Sequence, residues 1–200
     1  MSTIRNICVY CGSGPGTDPD FIKAAHEFGA ILAENDIGLV YGGGSVGLMG
    51  AVAAATMAAG GRVTGIIPEF LTDRERPYSV QELIVTRDMH ERKRLMFERS
   101  DAFVALPGGV GTLEELVEQL TWAQLGRHKK PILVANIGGF WDPLCALLDH
   151  MQKLAFIREG FAVDLLVAQS VDDILPKLME AVAPVSESEK LMETGTAERL

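Results

Sequence analysis

Short apolar runs alternate with longer helical patterns along almost the whole chain. The apolar runs predict strands at residues 6–11, 37–41, 62–68, 82–86, 102–106, 131–135 and 165–168. The segments between them predict helices at residues 18–35, 46–59, 89–99, 113–125, 141–154 and 171–183. The polar stretch 72–79 interrupts this alternation, and we expect a surface loop there.

The predicted strands are mostly apolar at successive positions, as in a sheet that is covered on both faces. Strands that are separated by helices pair in parallel through right-handed crossovers. The pattern therefore predicts a three-layer α/β domain over residues 1–183, a parallel β-sheet with helices on both faces. Residues 184–200 are polar with few large apolar side chains, and we expect a flexible tail. In such sheets ligands bind at the carboxyl ends of the strands.

Composition narrows the classes of function. The 200 residues carry a net charge of −9, which argues against non-specific binding to nucleic acid or to an anionic membrane. No apolar run is long enough to cross a bilayer, and residues 1–5 lack a signal-peptide core, so we expect a cytoplasmic location. The histidines show no metal-ligand spacing, and Cys8 and Cys11 are interpreted as buried strand residues. We therefore expect no metal site.

The segment after the fifth predicted strand is the clearest candidate for chemistry. Pro107 ends the strand, and the run Gly-Gly-Val-Gly-Thr that follows lets backbone N–H groups converge at a helix N-terminus. Such a terminus binds phosphate, because its N–H groups and its dipole both favour negative charge. Glu114 and Glu115 come next, although a carboxylate beside a bound phosphate is electrostatically unfavourable. We therefore expect a carboxylate here to activate water or to stabilise a developing cation.

A second glycine-rich loop, residues 42–47, matches the dinucleotide pattern G-x-G-x-x-G, with Glu69 as a candidate ribose ligand. This loop follows the second predicted strand, whereas the dinucleotide fingerprint follows the first strand of its unit. We therefore favour a tight turn with close helix packing at Gly47 and Gly50, or a mononucleotide contact, over an NAD site.

The predicted helix 89–99 carries cations near its N-terminus, where the helix dipole disfavours positive charge. Arg92 and Lys93 therefore need a carboxylate or a bound anion close by. Glu91 and Glu98 of the same helix could supply that pairing. We favour a functional role for Arg92, because this helix immediately precedes the strand that leads into the phosphate-binding segment.

Several of these segments occur together in one known family. The motif P-G-G-x-G-T-x-x-E occupies residues 107–115, with M-H-E-R-K at 89–93 and T-W-A-Q-L-G at 121–126. V-Y-C-G-S at 9–13 and Y-G-G-G at 41–44 precede them in order. In this combination, over about residues 5–180, the chain resembles the LONELY GUY (LOG) family of cytokinin riboside 5′-monophosphate phosphoribohydrolases.

The resemblance implies a Rossmann-like fold and a homodimer with active sites near the interface. It also implies hydrolysis of the N-glycosidic bond of AMP or an N6-substituted AMP, a small-molecule nucleoside 5′-monophosphate, to free base and ribose 5-phosphate, without a metal or organic cofactor. Arg92 and Glu115 correspond to the catalytic pair. The substrate-binding residues that carry over are Ser13, Gly43, Gly44, Met89, Lys93, Gly108, Gly109, Gly111 and Thr112. The family's older label, lysine decarboxylase, has no support here, because no lysine in a pyridoxal-binding setting is identifiable.

In this interpretation an anionic Glu115 stabilises the oxocarbenium-like centre and orients water, while Arg92 holds phosphate or ribose oxygens and pairs with Glu115. Two other classes of function stay open. One is a non-enzymatic nucleotide-binding or sensing protein with the same phosphate site. The other, less favoured, is an NAD(P)-linked oxidoreductase that uses the loop 42–47.

The apolar pattern of helix 113–125 adds a physical argument for the dimer. One stripe, which includes Leu113, Leu116, Val117 and Leu120, can pack on the sheet, and Trp122 points in another direction. We expect a partner helix to cover Trp122, with helices 89–99 and 113–125 at or near the interface.

Overall fold

The computed structural model describes residues 4–75, 79–157 and 164–182, and over these ranges it confirms the alternation of strands and helices. The strands are β1 (Asn6–Tyr10), β2 (Gly38–Tyr41), β3 (Val63–Pro68), β4 (Glu82–Thr86), β5 (Ala102–Ala105), β6 (Ile132–Ala135) and β7 (Leu165–Ala168). The helices are α1 (Pro19–Glu34), α2 (Gly47–Ala58), α3 (Thr72–Glu75), α4 (Met89–Glu98), α5 (Val110–Gln124), α6 (Asp142–Lys153) and α7 (Ile174–Val182). The predicted tail, residues 184–200, lies outside the described residues.

All strand pairs are parallel, and the order across the sheet is β4-β3-β2-β1-β5-β6-β7. The chain therefore starts in the middle of the sheet, builds outwards to β4, and then returns to build the other half from β5. Val9 of β1 lies in register with Tyr41 of β2 on one side and with Val104 of β5 on the other. The reversal between β1 and β5 is the topological switch point at which such sheets bind ligands.

Helices cover both faces of the sheet, which confirms the three-layer Rossmann-like prediction. Alternate residues of β1 divide between the two cores: Ile7 and Val9 pack with α1, α2 and α7, whereas Cys8 and Tyr10 pack with α4 and α5. Cys8 and Cys11 are both buried, as the sequence predicted. Among the described residues, no helix is both long and apolar enough to cross a membrane.

Helices α1 and α4 begin at side-chain caps, whereas α2, α5 and α6 do not. Asp18 caps α1 by accepting a hydrogen bond from the Asp20 N–H at 2.9 Å, and Asp88 caps α4 by accepting one from the Glu91 N–H at 2.8 Å. Helix α5 begins after Gly109, which has no side chain to offer. It also begins at Val110, three residues before the predicted start, so Val110, Gly111 and Thr112 belong to the first helical turn while Gly108 and Gly109 stay outside the helix.

The polar stretch 72–79 is in part helical, so the prediction of a loop is wrong for its first residues. A 3₁₀ turn, Glu69–Leu71, leads directly into α3. The Thr72 hydroxyl donates to the Glu69 carbonyl oxygen at 2.7 Å and ties the two turns together. This bond needs a side-chain hydroxyl at residue 72, whereas hydropathy registers only a polar residue there, which is why hydropathy did not reveal the helix.

Trp122 is half-buried by its own chain, and its cover by a partner helix stays a prediction. The Trp122 ring packs edge-to-face on Phe97 with the centroids 5.3 Å apart, and the Arg127 guanidinium lies 4.1 Å from the Trp122 ring centroid. Leu116 and Leu120 form the stripe that packs on the sheet. The exposed apolar side chains of α5 and its C-terminal end are Val110, Leu113, Val117 and Leu125.

Candidate active site

Three loops meet at the carboxyl ends of β1, β2 and β5. The backbone of Gly12, in the loop after β1, holds the other two: its N–H donates to the Pro107 carbonyl oxygen at 3.0 Å, and its carbonyl accepts from the Leu48 N–H at 3.0 Å. Residues of all three loops line one cavity of about 350 Å³. That volume lies at the lower end of the range for small-molecule sites, so the cavity suits a compact ligand.

The N-terminus of α5 forms one wall of this cavity. Gly109, Val110, Gly111 and Thr112 all line it, and helix geometry leaves the first N–H groups without acceptors inside the helix. A Cβ added to Gly109 or Gly111 would meet no atom within 4 Å, so these two glycines border open space. The wall therefore has the geometry of an anion site, in which the backbone can be approached closely.

Gly108 has a different role from its neighbours. A Cβ at Gly108 would collide with the Thr112 side chain and would lie 2.8 Å from the Gly12 nitrogen. Gly108 therefore lets the loops after β1 and β5 pack together, and it lines a second, adjoining cavity with Gly109 and Ser13.

Arg92 extends from α4 into the cavity and is nearly fully buried. Its Nε donates to the Ile66 carbonyl oxygen at 3.1 Å, and its Nη1 lies 3.1 Å from Glu115 Oε1. A Cβ at Gly42 would collide with the Arg92 guanidinium. Three elements, β3, α5 and the loop after β2, therefore determine where this guanidinium lies.

Glu115 faces Arg92 from the second turn of α5, and it is also nearly fully buried. Burial raises the pKa of the Glu115 carboxyl above its usual value, and the Arg92 guanidinium opposes that rise. Burial likewise raises the pKa of Cys8, Tyr10 and Cys11 on β1, so these groups add no negative charge beside Glu115 at neutral pH. The site thus holds the Glu115 carboxyl against one guanidinium, both nearly fully buried, and Glu114 also lines the cavity.

The cations of α4 and its flanking residues divide into two sets by their partners. Those outside the site pair nearby: Arg87 with Glu91 at 3.2 Å, Arg94 with Glu98 at 3.7 Å and Arg99 with Glu82 at 2.8 Å. Arg92 and Lys93 reach across to carboxylates of α5 instead. The alternative in which Glu91 or Glu98 neutralises Arg92 is therefore wrong.

The structure brings most of the predicted site residues together. Ser13 and Met89 line the same cavity as Arg92, Glu115 and Thr112. Gly43, Gly44 and Lys93 are not among the described residues that line it. Gly43 has a φ of +81° and Lys93 bonds to α5, and for these three residues a contact to substrate stays a prediction.

Protein atoms occupy the space beside the glycines that follow β2. Gly47 has a φ of +61°, and a Cβ there would collide with the Ser13 backbone, while a Cβ at Gly50 would collide with the Ser45 backbone. These contacts support the interpretation as a tight turn. Glu69 is exposed and is not among the cavity-lining residues, which removes the candidate ribose ligand of the dinucleotide interpretation.

Sequence reasoning missed Gly42, Met49 and Leu71, which also line the cavity. With Met89, the side chains of Met49 and Leu71 make part of the wall apolar. Gly42 is the first glycine of a visible run, but its contact with Arg92 depends on a helix fifty residues further along the chain. Within the described ranges, no cluster of three or more histidine, cysteine, aspartate or glutamate side chains could hold a metal ion.

Comparison with known proteins gives close relatives over most of the chain. A family model described as possible lysine decarboxylase matches residues 49–178. The chain is 47% identical over 182 residues to the cytokinin riboside 5′-monophosphate phosphoribohydrolase LOG of Oryza sativa subsp. japonica, covering 90% of this chain and 75% of that protein. It is 44% identical over 187 residues to the cytokinin riboside 5′-monophosphate phosphoribohydrolase LOG3 of Arabidopsis thaliana, covering 93% of this chain and 86% of that protein.

Solved structures show the same fold at lower identity. The molybdenum cofactor binding protein of Rippkaea orientalis has a TM-score of 0.68 at 22% identity. The match covers 92% of this chain and 100% of that one. The molybdenum cofactor carrier protein of Chlamydomonas reinhardtii has a TM-score of 0.65 at 23% identity, covering 91% of this chain and 100% of that one. At such identities the similarity bears on the fold alone.

Proposed function

The chain belongs to the LOG family of cytokinin riboside 5′-monophosphate phosphoribohydrolases, and on that basis we propose that it hydrolyses the N-glycosidic bond of AMP or an N6-substituted AMP. The products are the free base and ribose 5-phosphate. One observation carries the proposal: the buried Arg92–Glu115 pair lies in the same cavity as the open N-terminus of α5.

The 5′-phosphate binds at the first turn of α5. The N–H groups of Val110, Gly111 and Thr112 belong to this turn, and the open space beside Gly109 and Gly111 admits phosphate oxygens. The phosphate lies away from the bond that breaks, so its binding energy holds the ribose in place rather than entering the chemistry.

Glu115 acts on the ribose. As the base leaves, positive charge develops at C1′ and the ring oxygen, and an ionised carboxylate stabilises that charge and orients the attacking water. Burial raises the pKa of Glu115, and the opposing Arg92 guanidinium favours the ionised carboxylate. Arg92 also faces the cavity, where it holds ribose or phosphate oxygens.

The base lies against the apolar part of the wall, at Met49, Leu71 and Met89. This surface suits the ring of adenine and tolerates an apolar group at N6. Product analysis across AMP, isopentenyl-AMP, their nucleosides, CMP and GMP would establish which base the site prefers.

Incubation with AMP tests the function directly. We expect free adenine and ribose 5-phosphate from AMP, and very little adenine from adenosine, because the nucleoside lacks the group that α5 binds. Binding of AMP without release of adenine would identify a nucleotide sensor instead. Comparable turnover of adenosine and AMP would contradict the phosphate site.

We also propose that the protein acts as a homodimer through the outer face of α5. Val110 is 83% exposed and also borders the cavity, and Leu113, Val117 and Leu125 extend the same apolar face. A partner that covers this face buries these side chains and closes the mouth of the cavity. Val117→Glu should therefore yield monomers with reduced activity in sedimentation and turnover assays. A wild-type protein that is monomeric at micromolar concentration and fully active would refute the dimer.

A further inference from the structure

A second ion cluster, Lys93 with Glu114 and Glu118, lies beside the Arg92–Glu115 pair. Glu114 lines the cavity, whereas Lys93 and Glu118 are not among the described residues that line it. Lys93 Nζ donates to Glu114 Oε1 at 2.6 Å and to Glu118 Oε1 at 3.0 Å. The Lys93 side chain is only 12% exposed, so its positive charge is held mostly out of water. The hydrogen bonds to α5 thus use two of the three N–H donors of the ammonium group that the family resemblance would direct to substrate.

This cluster joins the same two helices as the catalytic pair. Arg92 and Lys93 are adjacent on α4, while Glu114 and Glu115 are adjacent on α5. Both residues of α4 therefore bond to α5, and any slip of one helix along the other would break both contacts. Glu118 adds a second attachment one turn further along α5, and its other oxygen is buried without a hydrogen-bond partner among the described residues.

The cluster also governs the charge around Glu115. The charged groups that face it are Arg92 and Lys93 from α4 and Glu114 and Glu118 from α5, while Cys8, Tyr10 and Cys11 approach from β1 in protonated form. Without Lys93, two carboxylates would act on Glu115 with only Arg92 to oppose them. Burial of Lys93 lowers the pKa of its ammonium, but its bonds to Glu114 and Glu118 outweigh this and raise it, so Lys93 stays charged.

We propose that Lys93 is a positioning residue that acts through Glu114 and Glu118 rather than on substrate: it fixes α5 against α4 with Glu115 opposite Arg92, and it neutralises the two carboxylates beside Glu115. This inference rests on the proposed function for its consequence in catalysis. Its electrostatic part concerns the free protein and can be measured without turnover.

Three variants separate this role from substrate binding: Lys93→Met, the double variant Glu114→Gln/Glu118→Gln, and the triple variant that combines them. In Lys93→Met, the acid limb of kcat for AMP hydrolysis should move to higher pH by about one unit, which is about tenfold lower activity on that limb. In the double variant Lys93 loses its counter-charges, and the limb should move to lower pH. In the triple variant the limb should return to the wild-type position or below, because the carboxylates that needed Lys93 are gone.

The titration of the Glu115 carboxyl, followed by ¹³C NMR in the free protein, should show the same three shifts. A loss of activity in Lys93→Met that appears as a raised KM for AMP and persists in the triple variant would overturn the proposal and assign Lys93 to substrate. An unchanged acid limb in Lys93→Met would overturn it as well.

If Lys93→Met fails to fold, the double variant still tests the proposal. An unchanged acid limb of kcat together with an unchanged Glu115 titration in that variant would contradict it. If the wild-type protein releases no adenine from AMP, the proposed function fails, and the NMR titration alone decides the role of Lys93.

Discussion

The two glycine-rich loops, after β2 and after β5, look alike in sequence and differ in what surrounds their glycines. In the loop after β2, a Cβ at Gly42 or Gly47 would collide with Arg92 or with the Ser13 backbone. In the segment after β5, a Cβ at Gly109 or Gly111 would meet nothing within 4 Å. The first loop therefore needs glycine to fit protein against protein. The second is exposed to a cavity and leaves room for a ligand.

The helices that follow differ in the same way. The first turns of α2 consist of small and apolar residues, among them Leu48 and Ala51, which are buried in the core. The second turn of α5 presents Glu115 to Arg92 within the cavity. In this protein, the segment whose glycines border open space is the one whose helix also presents a charged pair to the cavity.

The largest effect that this comparison predicts is the loss of the reactive group itself. Glu115→Gln should lower kcat for AMP by about 10²–10³-fold, because it removes the charge that stabilises the transition state and changes the shape little. AMP affinity, measured by calorimetry, should remain close to wild type. Glu98→Gln, on the exposed side of α4, is the control and should be fully active. Near wild-type turnover in Glu115→Gln would move the catalytic assignment to Glu114.

Gly47→Ala tests the claim that the loop after β2 is structural. Alanine at a positive φ costs about 1–2 kcal/mol, and the collision with the Ser13 backbone adds about 1–3 kcal/mol, so denaturant unfolding should show a large loss of stability. Gly60→Ala is the matched control, since Gly60 has a φ of +80° but no atom within 4 Å of the added Cβ. Gly60→Ala should lose only the stability that a positive φ costs an alanine. Equal losses in the two variants would show that Gly47 does not depend on packing.

Gly111→Ala should have the opposite balance of effects. Alanine is a better helix former than glycine, so the free energy of unfolding should stay the same or rise by up to about 1 kcal/mol. The added methyl enters the space beside the phosphate site, and KM for AMP should rise by about tenfold, which is about 1.4 kcal/mol of binding. A stable variant with unchanged KM would show that the phosphate binds elsewhere.

The smallest expected effect is a displaced pH dependence. The pKa of Glu115 is raised by burial, so the carboxylate of the free enzyme becomes protonated at a pH above its ordinary value of 4.5. The acid limb of kcat/KM for AMP should therefore have its midpoint above 4.5, with activity falling as the pH drops through it. A midpoint at or below the ordinary value would mean that Arg92 outweighs burial in the free enzyme.

The candidate site on α4 and α5 could be predicted from the sequence because it depends on local patterns. Pro107, the glycines after it and Glu115 form one contiguous motif. Arg92 lies on the predicted helix that comes just before the strand leading into this motif. The alternation of strands and helices likewise predicted the parallel sheet, since apolar runs without alternation are needed when both faces are covered. The short α3 helix was missed because local hydrogen bonds, rather than hydropathy, form it.

The partners of the charged side chains were decided only by the tertiary structure. From the sequence, Arg92 and Lys93 had Glu91 and Glu98 as the nearest candidates, and Trp122 had no visible cover. Folding brings α5 against α4, so that Glu115 and Glu114 become the partners and Phe97 and Arg127 pack against Trp122. Periodicity specifies which side of a helix a residue occupies. Which neighbour meets that side depends on the order of strands in the sheet, because sheet order sets which helices lie next to each other.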